Sequence, residues 1–166
     1  MYSEIISQLE LALDETLKLL STFTEKEINT IPFEGSWTAA QVGRHLYKSQ
    51  KGMDGLLLCP ADPVKRDPEE KANGLRDTFL NFDIKMKSPD FIIPEEKEYD
   101  KDDLIASLKD VKEEMIAAAQ KADLTQLAPL PEGHPLEGHS KLEIVHFVTY
   151  HTIRHNHQLE EIRAAL

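Results

Sequence analysis

Apolar residues recur every three to four positions along four long stretches of the chain, and nowhere do they alternate singly over the length of a strand. From about Ser3 to Phe23, Ile5, Leu9, Leu13, Leu17 and Leu20 fall on one face at helical spacing, and Ser3 is placed to cap the start. A short helical turn follows at Thr24 to Ile28, before Pro32-Phe33-Glu34-Gly35-Ser36 breaks the pattern. The second helix opens at Thr38, with Gln41 completing a capping box, and continues to about Leu58 before Pro60. A third core helix starts at Asp102 or Asp103, carries Leu104, Leu108, Val111 and Met115 inward, and reaches about Ala122. Ser140 opens the last helix with Glu143 as its capping partner, and that helix runs to about Ala165.

The connections differ in kind. Residues 59–99 contain Pro60, Pro63, Pro68, Pro89 and Pro94, with one further helix expected near Glu69 to Phe82. Pro129, Pro131 and Pro135 keep the loop from Leu124 to His139 from being helical throughout. The pattern predicts an all-α protein: a four-helix bundle with a longer irregular crossover between the second and third core helices, forming one domain over residues 1–166.

Composition narrows the function classes. Nineteen Lys and Arg against 30 Asp and Glu give a net charge of −11 over 166 residues. A chain that acidic lacks the basic stripe a nucleic-acid binder needs, and anionic membrane surfaces are disfavoured for the same reason. The first ten residues carry two Glu and no basic residue, which is not a secretory signal. No apolar run approaches the ~20 residues of a membrane span. The expectation is a cytoplasmic protein with neither nucleic acid nor membrane as partner. The single cysteine, Cys59, excludes an internal disulfide and a cysteine-based zinc knuckle, and without a basic neighbour it reads as a bystander.

Candidate chemistry lies in the seven histidines. On the last helix, successive residues turn by about 100°, which puts His151 and His155 in the stripe defined by Ile144, Val148, Leu159 and Ile162, with Gln158 at its edge. His146 and His157 project to the opposite side. The i, i+4 spacing of His151 and His155 stacks two imidazoles on one face, where both can converge on one divalent cation. The alternative is a pair that fills core volume and bonds to buried groups. On the second helix Arg44, Lys48 and Lys51 point to water, while His45 lies on the flank of the buried side near Ser49 and Gly52. His45 reads equally as a snorkelling histidine or a ligand; with His151 and His155 it would complete a three-imidazole set that leaves a position open.

Other features carry less. Glu143-x-x-His146 has the spacing found in di-iron bundles, but it occurs once and faces outward, so Glu143 reads as a helix cap. His134 and His139 sit in a Pro/Gly loop, with solvated loop residues the default and an active-site rim the alternative. Trp37 reads as a packing anchor. The cluster from Glu95 to Asp103 reads as a solvated acidic face, with calcium as the alternative.

Two stretches resemble a known group. Ser36-Trp37-Thr38-Ala39-Ala40-Gln41-Val42-Gly43-Arg44-His45-Leu46 is similar to the Trp-led second helix of the DinB/YfiT-like superfamily. His134-Pro135-Leu136-Glu137-Gly138, Leu142-Glu143 and His151-x3-His155-x2-Gln158 resemble the closing segment of its DinB-like branch. The resemblance implies a four-helix bundle holding one divalent metal ion (zinc, nickel or iron) through one histidine of the second helix and two of the last. His45, His151 and His155 occupy those positions, and Gln158 is placed to orient a ligand imidazole. It further implies a metal-dependent hydrolase or a thiol-dependent transferase acting on a small molecule, such as a thiol adduct, and a homodimer. A non-catalytic metal-binding or sensing module, and a structural bundle with no metal, are the competing readings. His146 and His157 receive no role.

Overall fold

The structure is a computed structural model that describes residues 2–166. Its helices are α1 (Ser3–Ser21), α2 (Glu25–Ile28), α3 (Ala39–Gln50), α4 (Met53–Leu58), α5 (Ala72–Phe79), α6 (Lys101–Lys121) and α7 (Lys141–Ala165), with a 3₁₀ turn at Asp90–Ile92. Among the described residues there is no β-strand, only two isolated bridges, Pro63 with Gln126 and Leu127 with Ser140. The expected four-helix bundle is present. α1 packs on α6 and α7, and α3 packs on the same two helices from the other side.

Of the three expected side-chain caps, Thr38 and Ser140 form: each accepts a backbone N–H from the third helical residue, whose side chain bonds back to the cap, and Thr24, which the sequence does not single out, does the same at α2. Ser3 does not cap α1: it is already helical, and Tyr2 holds the cap position without a side-chain bond. α6 starts slightly earlier than expected, with the Asp100 carboxylate accepting from the Asp103 amide.

The second helix departs from expectation. It does not run unbroken to Leu58, because Gly52 adopts φ +90°, a left-handed conformation that only glycine takes at little cost. The break turns the chain from α3 into α4, whose first residue, Met53, lines the cavity beside the candidate histidines. The crossover, residues 59–100, then carries α5 onto the outer side of α7. That cover explains a second correction. His146 does not face water but is buried, donating Nε2–H to Glu69 (3.0 Å) with the Tyr150 hydroxyl 3.1 Å from Nδ1. Glu143 also faces inward: it keeps its cap role yet is wholly buried, held by Arg66 (2.7 Å to each oxygen) and by the amides of Lys71 and Ser140. His157 does lie outside, stacked on Phe82 at 4.0 Å between centroids.

The apolar core comes in two parts. One joins Leu9, Leu13, Met115, Leu142 and Val148; the other joins Leu20, Val42, Leu46, Leu108 and Leu159. Between them, α1, α3 and α7 each turn polar. Thr16 of α1 donates to Asn156 Oδ1 (2.6 Å), Asn156 donates to Ala12 O (2.9 Å), and Gln50 of α3 donates to Thr152 of α7 (3.1 Å). A buried polar layer costs stability unless its groups are satisfied, and here they are. His45, His151 and His155 belong to this layer by their positions on α3 and α7.

Candidate metal centre

The i, i+4 repeat of α7 sets His151 Nε2 3.2 Å from His155 Nε2, and α3 delivers His45 Nε2 to 3.1 Å from His151 Nε2. One nitrogen of each ring lies within 4.8 Å of the other two. Metal–imidazole bonds of about 2.0–2.1 Å place neighbouring donor atoms roughly 3 Å apart, so the spacing suits one shared ion.

Tautomers sharpen the fit. His45 Nδ1–H donates to the Ile92 carbonyl (2.9 Å), and His155 Nδ1–H donates to Gln158 Oε1 (2.8 Å). In neutral rings both Nε2 atoms are then bare lone pairs. They point at the same place as His151 Nε2, and one imidazole proton there can bond to only one of them well. The donor set is three converging nitrogens with fewer protons than the contacts between them, an arrangement suited to a shared divalent cation.

Burial keeps the rings neutral. It is the first cause of the lowered proton affinity of all three. His45 is pushed below its ordinary value by desolvation, with Lys48 adding to it. His151 falls well below through burial and the neighbouring His155 and His45, and His155 falls to about 3. Trp37 packs against the His45 ring (5.1 Å between centroids) and Phe147 stacks on His151 (5.2 Å). Trp37 is thus a packing anchor whose load is a candidate ligand.

The cluster forms one wall of a cavity of about 510 Å³ between α3, α5, α7, the 80–93 segment and the loop before α7. Met53, Phe79, Phe91 and Phe147 supply much of its lining. His134 and His139 line it too, so the rim option describes them better than the solvated one. Both are held by Leu136. His134 Nδ1 accepts the Leu136 N–H (3.0 Å), leaving the ring proton on Nε2, whereas His139 Nδ1–H donates to the Leu136 carbonyl (3.0 Å), leaving Nε2 bare. Sequence reasoning missed Arg154, whose guanidinium clasps the carbonyls of Phe79, Asn81 and Ile84 and ties the crossover to α7. Its spacing from His151 and Gln158 on α7 was the only available signal. Cys59 is exposed and does not line the cavity. The acidic stretch is largely exposed, with Glu95 engaged by Arg44 and Lys48 rather than gathered round an ion site.

The fold and the cluster together define a helical bundle with an internal three-imidazole site that could hold a metal ion, beside a mostly apolar cavity. The model of the DinB superfamily matches residues 8–159, and the chain belongs to that family. Comparison with curated proteins and with solved structures gives no match. No helix among the described residues is long and apolar enough to cross a membrane.

Proposed function

We propose that the protein is a metal-dependent enzyme in which His45, His151 and His155 hold one divalent ion through Nε2 and a small molecule reacts in the adjoining cavity. The observation that carries this reading is the convergence of three Nε2 atoms at 3.1–3.2 Å steps, with the outer two stripped of their protons by Ile92 and Gln158. An ion held there supplies a Lewis acid and lowers the pKa of a bound water or thiol. This agrees with hydrolysis or thiol-dependent transfer, the activities that the family resemblance implies.

The chain's own residues prepare the site. Ile92 O and Gln158 Oε1 fix the orientation of His45 and His155, and Trp37 and Phe147 keep the rings from turning. The lining is mostly apolar and offers an organic ligand few polar competitors beside the site. On the loop wall, His134 holds a proton at Nε2 and His139 offers a bare Nε2, the complementary equipment of a general acid and a general base. The cavity favours an enzyme over a sensing module, which needs no organic-sized space beside its ion.

Protein purified without a His tag is expected to carry or take up about one ion per chain, and His45→Ala, His151→Ala and His155→Ala are each expected to fall below about 0.1. Wild-type protein that refuses zinc, nickel and iron on reconstitution removes the proposal. Gln158→Ala keeps all three imidazoles but loses the bond to His155 Nδ1, and is expected to weaken metal affinity about 10–100-fold. Competition with a chromophoric chelator reads the difference; unchanged affinity would show that Gln158 does not position the ring.

A further inference from the structure

The cavity beside the histidines differs in charge from the rest of the molecule. Asp and Glu make up 30 of 166 residues, yet none of the residues lining the cavity is acidic. Acids adjacent in sequence to the lining turn away from it. Glu137, between the lining residues Leu136 and His139, accepts from the Gly133 amide (2.8 Å), and Asp90, beside Phe91, is exposed. Two cations do line it, Lys87 and Arg154. Arg154 is bonded to three backbone carbonyls and to no carboxylate, and Lys87 forms no ion pair among the described residues, so neither charge is neutralised by a side chain.

The rest of the lining is apolar and thick with ring and thioether groups: Phe79, Phe91 and Phe147 with Met53 and Met86. Aromatic and methionine side chains form adaptable surfaces for a flat or branched hydrocarbon body. About 510 Å³ suits an organic molecule of ordinary metabolite size and exceeds what a water or a free inorganic ion needs. In a chain of charge −11, long-range electrostatics repel anions. An acid-free, doubly cationic lining is therefore a local reversal, of the kind that selects one sign of ligand.

We propose that the cavity binds a small organic anion, a carboxylate with an aromatic or branched apolar body, its charge toward Lys87 and Arg154 and its body among the phenylalanines. That this ligand is a substrate rests on the metalloenzyme reading above; that it binds does not.

The test titrates metal-free, isotope-labelled protein with phenylbutyrate, phenylbutanol and phenylbutylamine, which share a body and differ in charge, and follows amide shifts by NMR. The carboxylate is expected to bind about tenfold or more tighter than the amine, with the alcohol between, as two unpaired cations partly open to solvent should produce. Shifts should centre on the α5–α7 wall and residues 86–92. Equal affinities, a preference for the amine, or shifts elsewhere overturn the proposal. Lys87→Glu, at an exposed position where folding is not at risk, is expected to weaken the carboxylate about fivefold or more; an unchanged ratio of carboxylate to amine also overturns it. Metal uptake is measured on the same preparation. Normal uptake without anion preference defeats this proposal alone, whereas anion preference without uptake leaves the anion site standing and removes the metal.

Discussion

Replacing Arg66 by methionine is expected to lower the free energy of unfolding by about 3–5 kcal/mol at neutral pH. Arg66 reaches out of the crossover to grip both oxygens of Glu143, which is wholly buried at the start of α7. Without the guanidinium the carboxylate keeps only the Lys71 and Ser140 amides and cannot reach water. The pH dependence gives a sharper test than the magnitude. Burial on its own would raise the proton affinity of Glu143, but the bonds from Arg66, Ser140 and Lys71 outweigh it and hold the carboxyl below its ordinary 4.5. A depressed folded value means that this contribution is present above about pH 4.5 and is lost as pH falls through the folded value. In the Arg66→Met protein burial acts with less opposition, so the carboxyl takes up its proton at higher pH. The deficit against wild type is then expected to shrink on acidification below 4.5. Urea unfolding at pH 7 and pH 4 measures both effects, and a cost under about 1 kcal/mol at pH 7 would mean that the pair does not anchor the crossover.

Zinc or nickel at a hundredfold excess over its dissociation constant is expected to stabilise the wild-type protein by about 2.7 kcal/mol. For a chain of this length that is roughly 5–10 °C in melting temperature. His151→Ala should show none of this shift, because His151 Nε2 is the atom that lies within 3.2 Å of both other ligand candidates. The metal-free protein supplies a second readout. Burial lowers the proton affinity of His45, His151 and His155 in the folded state below the ordinary 6.5. Between 6.5 and those depressed values the unfolded chain binds more protons, so stability is full above about pH 6.5 and falls as pH drops below it. Each histidine contributes up to about 1.4 kcal/mol per pH unit. Chemical unfolding from pH 7 to pH 5, above the range where Glu143 titrates, should show that slope in wild type and a shallower one in His151→Ala. A flat profile in wild type would contradict the burial argument, and a metal shift that survives in His151→Ala would contradict the ligand set.

Much of the site could be read before any coordinates. The i, i+4 spacing of His151 and His155 within the stripe of Ile144, Val148, Leu159 and Ile162 placed both rings inward, and both are inward. Gln158 stood one turn from His155 and does bond to it. His45 was harder. Its angular position was on a flank, and only the packing of α3 against α7 and the 80–93 segment made that flank interior. The departures on α7 share one origin. His146 and Glu143 were assigned to the outer face because a helical wheel knows only one partner, whereas α7 is covered on two sides. For His134 and His139 the rim alternative holds over the solvated default, and nothing local in a Pro/Gly loop reveals that this one folds over a cavity. The break at Gly52 went unread because glycine inside a helical pattern is ambiguous until its φ is known.

The chain's own order of residues determined which segments are helical, where three of them begin, and which imidazoles can share a helix face, because these depend on periodicities and capping bonds spanning four residues or fewer. The tertiary structure alone decided that residues 45, 151 and 155 meet, that Ile92 orients the first of them, and that the neighbouring space is free of carboxylates. Those facts depend on contacts between segments 47 to 106 positions apart, whose formation is settled by how the crossover packs on the bundle and not by any local preference of the backbone.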